Sequence, residues 1–238
     1  MTIMSKWPKE PKVLTEEQIQ IRNLWMVHWH EIVPTKFSLT EKFNHIGGFL
    51  NMPLPPNCKT LEVGAGLGSQ VEFEDLTKQE YYALDLRSDM LIKCKERFPE
   101  VIVVPGDIQG NLIFPKSHFN RIIAIHVLEH LLDLPKALNN IYSLLTPNGF
   151  FEIIIPLEGS PLYSLARRVS SQREFEKKFK VPYNWCIESE HVNSYKEILE
   201  ELDKFFFIAW KKFFPVNIPI YSLNLTLGLR CYKKYIIY

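Results

Sequence analysis

The chain has 238 residues, 28 of them basic and 27 acidic, for a formal net charge of +1. That length suits one large domain or one domain with additions, and the charge balance excludes a global field that would recruit nucleic acid or a membrane surface. Cys58, Cys94, Cys186 and Cys231 lie too far apart for a zinc knuckle or a small disulfide framework and suit a reducing, cytoplasmic setting, and no apolar run reaches the length of a membrane span.

In chain order, Thr15-Glu16-Glu17-Gln18 reads as a capping box opening a helix, with Ile21, Leu24, Trp25, His28 and Ile32 at helical spacing until Pro34 stops the run. Ser38 to Glu41 repeats the signal, with Phe43, Ile46 and Leu50 behind it, so residues 1–50 form an N-terminal helical cap. NMPLPPNC (51–58) is a linker into the main domain, 51–238. There, strands over 60–64, 81–85, 101–104, 120–126 and 149–155 alternate with helices over 67–77, 88–98 and 135–146, the rhythm of a parallel sheet with both faces covered. Residues 157–193 follow the fifth strand as an insertion, and a helix spans 194–203. FFFIAWKKFF and SLNLTLGLRCYKK are joined by too short a turn for a parallel crossover, so they pair antiparallel. The expected fold is α/β: a doubly wound seven-stranded sheet, mostly parallel, with the last strand antiparallel.

Chemistry concentrates at the ends of these strands. In TLEVGAGLGSQ (60–70), Gly64, Gly66 and Gly68 fall where a strand should turn into a helix, letting backbone approach a ligand while a helix N-terminus offers free N–H groups. The dinucleotide fingerprint is not met, because Ser69 stands at its third glycine. Asp85 ends the next strand about twenty residues past the glycines, where a carboxylate can accept from both hydroxyls of a ribose. IIAIHVLEHLLDL (122–134) contains His126, Glu129 and His130 as H-x-x-E-H, a metalloprotease spacing. Zinc binding of that kind needs both histidines on one helix. Here RIIAIH reads as a buried strand and the next helix begins near Asp133 and Pro135, so no metal is expected.

Taken together, the chain resembles the class I S-adenosylmethionine-dependent methyltransferases, in particular bacterial domains acting on small molecules. The resemblance covers about residues 58–156 and rests on five segments in order: TLEVGAGLG, YYALDLRSDML, VVPGDIQ, RIIAIHVLEHLLDLPKAL and LLTPNGFFEIIIP. It implies S-adenosylmethionine as cofactor, lying against Gly64, Ala65, Gly66 and Gly68. Glu62 would sit near the methionine portion, Asp85 and Leu86 at the ribose, Asp107 and Ile108 at the adenine, and His126 and Val127 beside the donor. It also implies displacement at the sulfonium methyl by an acceptor oxygen or nitrogen. For a hydroxyl acceptor, His130 and His191 are candidate bases, with Glu129 next.

The acceptor should be written outside the donor core. Trp25, His28, Trp29 and Phe37 could cover the cleft as a helical lid, and RRVSSQREFEKKFK (167–180), with six basic and two acidic residues, would suit a phosphorylated acceptor such as a nucleotide-linked sugar. The acceptor expected is a small hydroxyl-bearing metabolite, with neither nucleic acid nor membrane insertion involved. The competing readings are an NAD-dependent oxidoreductase and a non-catalytic donor-binding module.

Overall fold

A computed structural model gives the arrangement of residues 6–49 and 51–234; Leu50 lies outside them. Seven strands are present among the described residues: β1 (Cys58–Val63), β2 (Gln79–Asp85), β3 (Ile102–Pro105), β4 (Phe119–Ile125), β5 (Leu145–Pro156), β6 (Phe206–Pro215) and β7 (Asn224–Lys233). They form one sheet in the order β3-β2-β1-β4-β5-β7-β6. The first five pair in parallel, and β7 runs antiparallel to both β5 and β6, as expected. The chain winds one way from β1 through β3 and the other way from β4, so β1 and β4 flank the crevice at which doubly wound sheets bind ligands.

The central strands are apolar on both faces, with Leu61, Ile122, Ile123, Ile153 and Ile154 fully buried. Each such side chain contributes roughly 1.5–3 kcal/mol by leaving water. Helix α4, Leu134–Leu144 in the chain, buries Leu134, Ala137, Leu138, Ile141 and Leu144 at helical spacing against this core, and Asp133 caps it by accepting from Lys136 N.

The N-terminal helix α1 (Glu16–Lys36) opens with the expected capping box: Gln18 N donates to Thr15 Oγ1 at 3.2 Å and Thr15 N to Gln18 Oε1 at 2.9 Å. It does not stop at Pro34, because a proline removes one bond of the ladder without removing those of the residues after it. A short α2 (Ser38–Lys42) and a π-helical turn, Phe43–Gly47, follow. α3 (Ser88–Arg97) follows β2 as predicted. The helix expected over 67–77 is absent; turns lead to a single 3-10 turn, Val71–Phe73. Gly68 sits in the left-handed region, and Glu74 is drawn extended by hydrogen bonds from Arg121 at 2.7 Å and Gln79 at 2.9 Å.

The insertion after β5 is helical: α5 (Pro161–Arg167), a π-helical turn, α6 (Arg173–Phe179) and α7 (Asn184–Glu190). Trp25 of α1 is buried against Phe175 and Tyr183, and Trp29 packs between Trp25 and Phe37, so these aromatics join the N-terminal helix to the insertion. α8 (Tyr195–Phe205) starts from a second capping box, Ser194 with Glu197.

Candidate active site

The donor residues expected from the sequence lie at the carboxyl ends of β1, β2, β3 and β4. After β1 the chain turns through Gly64, Gly66 and Gly68 at φ +70°, +53° and +78°. A Cβ on Gly64 would meet Val127 at 2.5 Å and one on Gly68 the Cys94 sulfur at 2.7 Å, whereas one on Gly66 would meet nothing within 4 Å. Gly64 and Gly68 are therefore demanded by packing, and Gly66 leaves bare backbone facing open space. The helix N-terminus expected behind this loop is missing. A carboxylate organises the loop instead: Asp85 accepts from Gly66 N at 2.8 Å with one oxygen and from Arg87 N at 2.8 Å with the other. Ala65 is buried and Leu86 is exposed beside it.

Glu62 is buried at the end of β1 and accepts from the Tyr81 hydroxyl at 2.9 Å. Burial pushes its carboxyl up to about 8, with Tyr81 and the positive charge of His45 pulling it part of the way back. His45 was not legible as a site residue. It reaches this corner from the π-helical turn, its Nδ1 3.0 Å from Gln70 Oε1, and although burial opposes its charging, Glu41 and Gln70 hold it above its ordinary value. After β3, Asp107 accepts from the backbone and side chain of Gln109, and the buried Ile108 gives its carbonyl to Asn140 at 2.7 Å.

At the carboxyl end of β4, His126 follows the strand at φ +52°, and the chain tightens into a 3-10 turn, Leu128–His130. His126 and His130 thus share no helix. A second segment is clamped to this turn. Val192 N and Asn193 N donate to the Glu129 carbonyl, and the Asn193 side chain donates to Leu128 O at 2.8 Å and Leu131 O at 2.7 Å. The clamp brings His191 beside His130, ring centroids 5.0 Å apart and nearly perpendicular. His130 Nδ1 is anchored on Glu190 O at 2.7 Å and His191 Nδ1 on Glu158 Oε2 at 3.1 Å. Beneath them the Glu129 carboxylate is 1% exposed, 3.3 Å from His126 Nδ1 and 3.9 Å from His130 Nε2, with no aligned hydrogen-bond donor on either oxygen among the described residues. Burial opposes its ionisation, but the surrounding imidazoles outweigh that and hold it down to about 2. Burial, helped by neighbouring His191, lowers His130.

Three supporting residues had no sequence signature. Asn193 holds the two segments together and Glu158 orients His191. Lys9 straps both, its N–H on Leu132 O and its ammonium on Val192 O and Glu197. In the basic run, Arg167 pairs with Glu158 at 2.5 Å.

Comparison with known proteins agrees with this geometry. A family model for the methyltransferase domain matches residues 61–153. A demethylmenaquinone methyltransferase from Chlamydia caviae is 30% identical over 144 residues, a match spanning 58% of this chain and 59% of that protein. Among solved structures, an S-adenosylmethionine-dependent methyltransferase from Thermotoga maritima superposes with a TM-score of 0.63 at 17% identity, covering 91% of this chain and 100% of that one. A TehB-like methyltransferase from Corynebacterium glutamicum gives 0.61 at 16% identity, with the same coverage of each chain. At such identities the structures speak to the fold. Residues 61–153 are thus similar to the methyltransferase domain family, in a fold that S-adenosylmethionine-dependent methyltransferases share.

Proposed function

We propose that the protein transfers the methyl group of S-adenosylmethionine to a hydroxyl of a small-molecule acceptor. The observation that carries this reading is the pairing of two features across the crevice: the bare Gly66 backbone held by Asp85, and the Glu129, His130 and His191 cluster after β4. The first suits the donor and the second suits the acceptor's reacting oxygen. The acceptor oxygen bonds to the methyl carbon, the carbon–sulfur bond breaks with its electron pair going to sulfur, and the hydroxyl proton leaves through the cluster to solvent. The similarity to a demethylmenaquinone methyltransferase supports a small-molecule acceptor. In this reading α1 and the 157–193 insertion form a lid whose work is alignment and water exclusion.

Calorimetry and acceptor screening test the proposal. S-adenosylmethionine should bind, and a screen of phenols and nucleotide sugars should release S-adenosylhomocysteine. Asp85→Ala should weaken donor binding by roughly 1.5–3 kcal/mol, the scale of hydrogen bonds to a charged group. Absence of donor binding to the parent protein would overturn the reading.

A further inference from the structure

Removing one proton from a hydroxyl needs one base, yet the turn after β4 gathers more than that. Glu129, His130 and His191 each present a ligand-type atom within 4.8 Å of the other two. We propose that these three residues form a binding site for a divalent first-row transition-metal cation. The proposal departs from the expectation of no metal, which rested on His126 and His130 sharing no helix; His126 is not among these three residues. The third ligand arrives through the Asn193 clamp instead.

Three observations support a built site. Glu129 is a fully buried side chain whose oxygens both lack an aligned donor among the described residues, with His126 Nδ1 standing off at 3.3 Å, and a buried carboxylate with only offset imidazoles around it is costly until a cation completes it. Each histidine uses Nδ1 on an outside acceptor, His130 on a backbone carbonyl and His191 on the Glu158 carboxylate. This is the arrangement of metal-binding imidazoles: the anchored Nδ1–H fixes the tautomer and leaves Nε2 with its lone pair. Finally, the cluster sits at the carboxyl end of β4, held by strand, turn and clamp rather than by a free loop.

Two imidazole nitrogens and one carboxylate oxygen suit Zn²⁺, Co²⁺ or Fe²⁺ better than Mg²⁺ or Ca²⁺, which favour all-oxygen shells. Ligands on a tetrahedral cation lie roughly 3.4 Å apart at the usual bond lengths, so from 3.9 Å the Glu129–His130 pair closes by about 0.5 Å on binding and no pair by more than about 1.4 Å. Three protein ligands leave positions open. Resting on the methyl-transfer reading, the cation takes the acceptor hydroxyl as a further ligand and lowers its pKa, so the proton departs to solvent without free imidazole as base.

The test uses the full chain stripped of metal by a chelator and dialysed. Titration with Zn²⁺ against a competing chelator should show one site per chain, and Co²⁺ should give visible absorption bands. X-ray absorption of the Co²⁺-loaded parent should show two imidazole nitrogens in the shell, a readout that needs no variant to fold. His130→Ala and His191→Ala should weaken Zn²⁺ binding by about 100-fold or more. Glu158→Ala, which frees the His191 ring without removing a ligand, should weaken it by about 10- to 100-fold. His118→Ala, at a distant histidine packed on Tyr82 and Phe114, should change nothing. Absence of stoichiometric binding, or a Co²⁺ shell without imidazole, would overturn the proposal. Donor binding to the metal-free protein, measured in parallel, separates failure of the metal site from failure of the methyl-transfer reading.

Discussion

At the end of β1, Glu62 combines burial, a hydrogen bond from Tyr81 and a carboxyl raised to about 8. Before the donor arrives it is mostly protonated at neutral pH. In the proposed site a cationic donor beside Glu62 would favour the ionised form, so binding should expel the proton. This predicts release of up to about one proton per donor from this group at neutral pH, and an affinity that rises with pH toward about 8 and then levels. The donor's own amino group titrates in the same range, so the decisive quantity is the difference between the parent and Glu62→Gln in calorimetry across buffers of different ionisation heat. Equal proton release in both would remove Glu62 from the donor site. The same shift sets the sign for stability. A carboxyl whose folded value lies above its unfolded one binds the proton more tightly when folded, so its contribution falls as pH rises from about 4.5 to 8. Glu62→Gln should therefore melt higher than the parent at pH 8, and the gain should vanish near pH 4. Gly66 gives a complementary test. Its added methyl meets no atom of the described residues within 4 Å, so Gly66→Ala bears only the left-handed backbone cost of about 1 kcal/mol in stability, while affinity for the proposed donor, measured separately, should fall further.

Between elements, the close approach of β7 to the N-terminal segment shows how tightly the parts are fitted. A Cβ on Gly228 would lie 2.1 Å from the Gly48 carbonyl oxygen, and one on Gly48 2.4 Å from Ile154. Gly228→Ala should push the N-terminal segment off the sheet at a cost of about 1–3 kcal/mol, visible as a lower Tm and as faster amide exchange in 43–49. An unchanged exchange pattern would mean that the segment adjusts freely. The strands of the donor core were legible because their apolar runs and turn residues agree. β1, β2 and β4 begin and end within two residues of the ranges read from sequence. The helix over 67–77 was misread because nothing local announces that Glu74 will be pulled away by Arg121, 47 residues on. The Glu129, His130 and His191 cluster was legible by residue type but not as a unit. His191 is 61 positions from His130, and the hydrogen bonds that join their segments use main-chain carbonyls, which have no sequence signature.

Across the whole sheet runs a belt of buried charge that likewise left no pattern in the sequence. Glu152 on β5 receives Arg121 of β4 at 2.6 Å with one oxygen and Arg230 of β7 at 2.6 Å with the other, and Arg121 continues to Glu74. All four side chains are at most 7% exposed. Arg230 also lies over the Phe150 ring at 4.3 Å, so its guanidinium is covered on a face as well as paired at its edge. Such a network ties the parallel half of the sheet to the antiparallel half at one register. Its net worth against an apolar alternative is small, because desolvation of four charges offsets much of their attraction. Breaking it is another matter. Glu152→Ala leaves two buried guanidiniums without the carboxylate that bridges them, and should cost about 3–5 kcal/mol. That is a large share of the 5–15 kcal/mol on the order of which domains are stable, and corresponds to a Tm lower by about 6–20 °C. Thermal melts should show the loss across pH 6–8 alike, since neither arginine changes charge there. A quadruple replacement, Met, Leu and Met at Arg121, Glu152 and Arg230 together with Glu74→Gln, should recover much of it, as it removes all four buried charges at once. If the single variant melts like the parent, water reaches the belt and these charges are not dry. If the quadruple variant melts no higher than the single one, the belt contributes more than the balance of desolvation and attraction allows, and its role is to fix the register of β7 against β5.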